Sequence, residues 1–144
     1  MGGLVARYAV QSLGVREVDK IITLDTGHLG FDLAAIVDNI FIDPLKKLIS
    51  MPTLCCIDAA PNSKFVNDLN SGFPTFPALV SIAALDPVEI PSPVLGLPPI
   101  KIIVVDTHSS NMGQFYPLHY NHLSIAQITD SDHGAYKTIK KCLS

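Results

Sequence analysis

Short apolar runs that break off into polar residues constrain this chain more than any other feature. Val18 to Leu24 ends in Asp25, Thr26 and Gly27; "PALVSIAAL", Pro77 to Leu85, ends in Asp86; Ile102 to Val105 within "KIIVVDTHSS" ends in Asp106, Thr107 and His108. Runs of this length, rich in β-branched residues, suit strands buried on both faces, as in parallel sheets. Helical or irregular segments separate them, so the chain reads as an α/β protein with a mostly parallel sheet of about three strands and flanking helices. Such sheets bind ligands beyond the carboxyl ends of their strands. The polar residues to inspect are therefore Asp25, Thr26 and His28, then Asp86, then Asp106, Thr107 and His108.

Between these runs, Leu4, Val5, Tyr8, Ala9 and Leu13 fall at helical spacing, with Gly14 placed as a C-cap. The pattern "FDLAAIVDNIFI", interrupted by Pro44 before "LKKLI", reads as one or two short helices. Asn62 or Ser63 is placed to cap a helix carrying Phe65, Val66 and Leu69. Pro87, Pro91, Pro93, Pro98 and Pro99 argue against regular structure between the second and third strands. The closing segment "DSDHGAYKTIKKCL" reads as a helix capped by Asp130 or Ser131, with lysines near its C-terminal end where the macrodipole favours them.

A length of 144 residues suffices for one domain with its own core. Composition that is 48% apolar and only 16% charged excludes a disordered chain, and a net charge of −3 offers no basic footprint for nucleic acid or an anionic membrane. No uninterrupted apolar run reaches the roughly 18 residues of a membrane span, and the first residues lack a signal-peptide pattern. Three cysteines, with Cys55 beside Cys56, make neither a disulfide framework nor a C-x-x-C pair; the adjacent two read as core residues.

More specific information lies in "MGGLVARYAV", where two glycines open a helix, and in "VDKIITLDTGHLGFDLA". Together they resemble the lipases and serine esterases of the α/β-hydrolase superfamily, in which G-H-S-M-G-G-L-V-A-R opens the helix behind the nucleophile and T-P-H-L-G follows the next strand. Gly27 stands here for that proline. "SSNMGQFYPLHYNHLSI" is similar to the segment that carries the catalytic histidine in bacterial lipases. The likeness is specific over 1–34, looser over 77–143 and weak between.

The resemblance implies the C-terminal part of an α/β-hydrolase fold, beginning one residue after the serine of G-x-S-x-G. Gly2 is then the last glycine of that motif, and the backbone N–H of Met1 is an oxyanion donor. His122 becomes the general base, with His119 as its competitor, and Asp106 the triad acid, with Asp86 as the alternative. The family's Asp-Gly motif before the Ser-Ser pair is replaced here by isoleucine-rich sequence. Residues 31–71 fall in the region of a cap or lid. The implied chemistry is hydrolysis of a carboxylic ester, a lipid by preference, without metal or organic cofactor. The chain alone is expected to be inactive, since the serine is outside it; completing the fold needs the missing N-terminal half as partner. The alternative is a degenerate or truncated hydrolase that acts as a non-catalytic binding or scaffold module. Either way the strand at 18–24 exposes an edge that another segment has to cover.

Plainer readings stand beside these. His122 also suits a surface loop, Asp86 and Asp106 suit strand ends that receive loop N–H groups, and His28 suits a structural histidine beneath the site. His108, His119 and His122 with Asp106 offer a zinc-site alternative, although H-x10-H-x2-H matches no tight ligand spacing. Ser12, Ser63, Ser81 and Ser109 are available hydroxyls, none within G-x-S-x-G.

Overall fold

Among the described residues, seven elements lie along or beside a small sheet, and two more form a separate ribbon. In the computed structural model, which describes residues 2–12, 17–31, 58–72, 78–92 and 95–144, the order begins α1 (Gly2–Ser12), β1 (Lys20–Leu24), α2 (Lys64–Ser71) and β2 (Ala78–Ala84). It continues β3 (Val88–Ile90), β4 (Ile100–Ile102), α3 (Thr107–Ser110), β5 (Gln114–Leu118) and α4 (Gly134–Leu143), with a 3-10 turn at Ser124–Ala126. Met1, Gly14, the helices expected over 31–42, the rest of a lid as far as residue 57, and the Cys55–Cys56 pair lie wholly or almost wholly outside the described residues.

The sheet has the order β1-β2-β5, and both pairings are parallel. Ile22 lies opposite Val80, and Ile82 opposite Tyr116. This is the expected mixed α/β arrangement with a three-stranded parallel sheet flanked by helices, and two of its strands are those legible in the sequence. The third is not. Ile102 ends a short strand that pairs antiparallel with Val88–Ile90, outside the sheet, and Ile103 is half exposed. The prolines of this excursion bound the two ribbon strands rather than abolishing them: Pro87 precedes β3, Pro91 follows it, and Pro98 and Pro99 precede β4. The true third strand, Gln114–Leu118, contains Pro117, which an edge strand tolerates because a missing N–H can point away from the sheet.

Alternation along the strands divides the core in two. Val80, Ile82 and Ala84 face Ile125, Ala135 and Cys142, with Ile22, Leu24, Tyr116, Leu118 and Ile139 packed around them, so α4 covers one face of the sheet. A second cluster joins Leu4 of α1 to Val66 and Leu69 of α2, with Ala59, Phe31 and Phe65. Each such aliphatic side chain contributes about 1.5–3 kcal/mol by leaving water. Helix α2 starts where Ser63 accepts a hydrogen bond from Val66 N at 3.1 Å, one of the two caps expected. Helix α4 differs: the His133 side chain accepts from Ala135 N, because Asp130 Oδ1 is already occupied by the N–H groups of Asp132 and His133 in the preceding turn. Among the described residues no helix is long and apolar enough to cross a membrane.

The turn into β5 depends on Gly113. Its φ is +72°, and a Cβ there would overlap the Leu79 carbonyl oxygen of β2. Gly113→Ala is therefore expected to destabilise the fold by about 2 kcal/mol or more. An unchanged urea midpoint in that variant would contradict the close approach of the turn to β2.

Candidate functional site

The site is built where β1 ends. Asp25 leaves the strand with φ of 44°, a left-handed conformation that aspartate tolerates better than most residues. Its N–H donates to Ile82 O at 2.7 Å, and its Oδ1 accepts from Ala84 N at 3.0 Å, so the carboxylate is fastened over the end of β2. The remaining oxygen, Oδ2, lies 2.7 Å from His122 Nδ1. An ionised carboxylate only accepts, so Nδ1 carries the proton and donates it to Asp25, leaving Nε2 as the basic nitrogen. The Asp25 side chain is 2% exposed and that of His122 36% exposed: the acid is sealed and the base reaches solvent.

The loop after β5 delivers His122 to this point. Asn121 Oδ1 accepts from Leu123 N at 3.0 Å and Ser124 N at 2.9 Å, and Ser124 Oγ accepts from Asn121 N, which ties the loop into the following 3-10 turn. Behind it, His133 stacks on Tyr120 with ring centroids 4.4 Å apart and reaches Ser124 O. The histidine is thus held by a short local network rather than by chance of a long loop.

The structure places the expected acids elsewhere. Asp106 is exposed and caps α3, its Oδ1 accepting from His108 N at 3.0 Å. It follows the separate ribbon, not a strand of the sheet, so it does not share the site's rim. Asp86 does follow β2, but its side chain pairs with His119 at 3.2 Å on the surface. Neither is hydrogen-bonded to His122; Asp25 is. The zinc-site alternative also dissolves, since His119 and His122 each pair with a different aspartate, and no metal-binding group of three or more His, Cys, Asp or Glu occurs among the described residues. Ser109 is buried and donates to Gly30 O, a latch between α3 and the loop after β1.

Beneath the site, His28 is fully buried. Arg7 Nη1 lies 3.4 Å from His28 Nδ1, and His28 Nε2 lies 3.0 Å from Thr23 Oγ1, which donates onward to Val80 O. Since the guanidinium can only donate, Nδ1 accepts and Nε2–H donates, a pattern complete for the neutral ring. Burial first, and the Arg7 charge second, lower the His28 pKa to about 3. Arg7 Nη2 also donates to Leu69 O and Asn70 Oδ1, which joins α1 to α2. His28 is accordingly a structural neighbour of the site with no free ring nitrogen.

A cavity of about 440 Å³ runs along the edge of β1. Gly2, Gly3 and Ala6 of α1 line it together with Asp25, Thr26 and His122. Gly3 matters for close approach, because a Cβ there would overlap the Thr26 side chain and press on Thr23. The first turn of α1, the part of a helix whose N–H groups have no partner within it, therefore lies against the end of β1 and lines the cavity together with the His122–Asp25 pair. A base held by a carboxylate, beside a helix N-terminus that favours negative charge, can take a proton from a nucleophile and steady the anion that follows. Among the described residues no serine, threonine or cysteine side chain hydrogen-bonds His122. No family model matches the chain, and neither curated proteins nor solved structures contain a match to it.

Proposed function

We propose that this chain is the C-terminal part of a serine lipase or esterase of the α/β-hydrolase type, with Asp25 and His122 as the acid and base of its triad. The observation that carries the reading is that this pair and the first turn of α1 face one cavity. A helix that begins at the carboxyl end of β1, packs beside it and then leads into it is placed as the connecting helix of a βαβ unit would be. The strand before such a helix would add to the edge of β1 that no described strand covers, and end at Gly2. A serine at that elbow would stand between His122 and the N–H groups of α1.

In this mechanism the serine hydroxyl attacks the ester carbonyl while His122 Nε2 takes its proton. Asp25 keeps the proton of the ring on Nδ1 and stabilises the imidazolium. Backbone N–H groups at the start of α1 hold the oxyanion. The intermediate collapses as His122 returns the proton to the departing alkoxide, and water repeats the sequence to release the acid. Acyl transfer by these groups requires no metal or cofactor, and the resemblance favours a lipid ester as substrate. That no described strand covers the outer edge of β1 favours a second reading, a non-catalytic module that docks a partner strand there.

The native product, including whatever residues precede Gly2, is expected to hydrolyse p-nitrophenyl esters, and His122→Ala to lower kcat/KM by about 10⁴-fold or more. Unchanged turnover in that variant would place the base elsewhere. A folded native product without ester turnover would favour the docking module.

A further inference from the structure

The β3–β4 ribbon ends in an apolar tip that the hydrolase reading does not use. From Ile90 to Ile100 the sequence "IPSPVLGLPPI" carries no charge. Residues 95–99 are all exposed, Leu95 completely and Leu97 at 60%. At the base, Glu89 and Lys101 face each other across the ribbon and pair at 3.0 Å, so the charge begins abruptly and sums to zero where the tip ends. The ribbon leaves the sheet from the carboxyl end of β2. Its base joins the His122 loop through a cavity of about 430 Å³ lined by Pro87, Val88, Leu123 and Ser124.

We propose that this tip docks the protein onto a neutral or zwitterionic lipid surface. Three properties select lipid over a protein partner. Specific protein interfaces engage about 20–30 residues a side, and a tip of this size has nothing near that. Pro91, Pro93, Pro98 and Pro99 have no N–H, so the segment cannot present the row of donors that pairing with a partner strand needs. The same lack of donors reduces the polar backbone that has to be stripped of water as the tip enters an apolar layer. Balanced charge at the base and a net charge of −3 for the chain point away from anionic headgroups. Adhesion of this kind involves no ester chemistry and stands whether or not the triad is completed.

The test is flotation of the native protein with vesicles of diether phosphatidylcholine, which contain no ester to hydrolyse. The protein is expected to float with the vesicles equally at low salt and at about 0.5 M NaCl. The double variant Leu95→Asp, Leu97→Asp is expected to bind at least about tenfold less, with unchanged circular dichroism and an unchanged urea midpoint. Equal binding by the double variant overturns the proposal, as does failure of the native protein to float. So does binding confined to anionic vesicles and reversed by salt, or dimerisation without lipid that the same substitutions abolish.

Discussion

Asp25→Asn is expected to lower kcat for ester hydrolysis by about 10⁴-fold in the native product, with little change in stability. The reasoning rests on what each oxygen of Asp25 does. Oδ1 accepts from Ala84 N at 3.0 Å, and an asparagine carbonyl can keep that bond. The φ of 44° at this position also suits asparagine. What changes is the group facing His122 Nδ1, now 2.7 Å from a carboxylate oxygen. An amide NH₂ there donates, so the ring turns over to the tautomer that has no lone pair on Nε2, and the imidazolium loses its counter-charge. Loss of the correct tautomer with geometry intact is worth about 10⁴ in kcat in triads of this kind. Asp86→Asn and Asp106→Asn are expected to leave kcat within about twofold, since these carboxylates meet His119 and the α3 N-terminus instead. A large loss in the Asp106 variant with none in the Asp25 variant would reverse the assignment.

Stability should fall steeply in mild acid, and His28 should account for much of the fall. Its pKa is lowered from 6.5 unfolded to about 3 folded, first by burial and then by Arg7. A depressed folded pKa means that the stabilisation is fully present above pH 6.5 and is lost as pH drops toward 3. Between those limits the unfolded state binds a proton that the folded state refuses. From pH 6.5 to about pH 4 this amounts to roughly 3 kcal/mol. The variant His28→Gln isolates the effect: its amide can accept from Arg7 and donate to Thr23 as the neutral ring does, but it does not titrate. Urea unfolding at a series of pH values is expected to show the steep slope in the wild type and a slope flatter by that amount in the variant. Parallel slopes would mean that His28 is protonated in the folded protein.

Much of the scaffold was legible because its signals are local. The β-branched residues within Val18 to Leu24 and the small apolar residues of Pro77 to Leu85 mark β1 and β2, of which β2 is buried on both faces and β1 chiefly on one, and α1 and α4 carry apolar residues at helical spacing. The third strand carries no such signal, because β5 is only half-buried, holds Pro117 and lacks the β-branched run that marks β1. Ile102 to Val105 looked more strand-like, yet its apolar residues serve the ribbon, where Ile103 faces solvent. His122 was reached through the resemblance around "NHLSI". Its partner was not, because a triad acid is fixed in space and not in spacing. Asp25 lies 97 positions away, and only the parallel order β1-β2-β5 brings the end of β1 to the loop after β5. The sequence signal for it was present in "TLDTG", an aspartate placed directly where a buried strand stops.

Fluorophosphonate labelling of the native product tests the central claim most directly. The account predicts a single adduct, mapped to a serine in the peptide that leads into Gly2, and its loss in His122→Ala. An adduct on a serine elsewhere in the chain, or ester turnover that persists without any adduct, would contradict it.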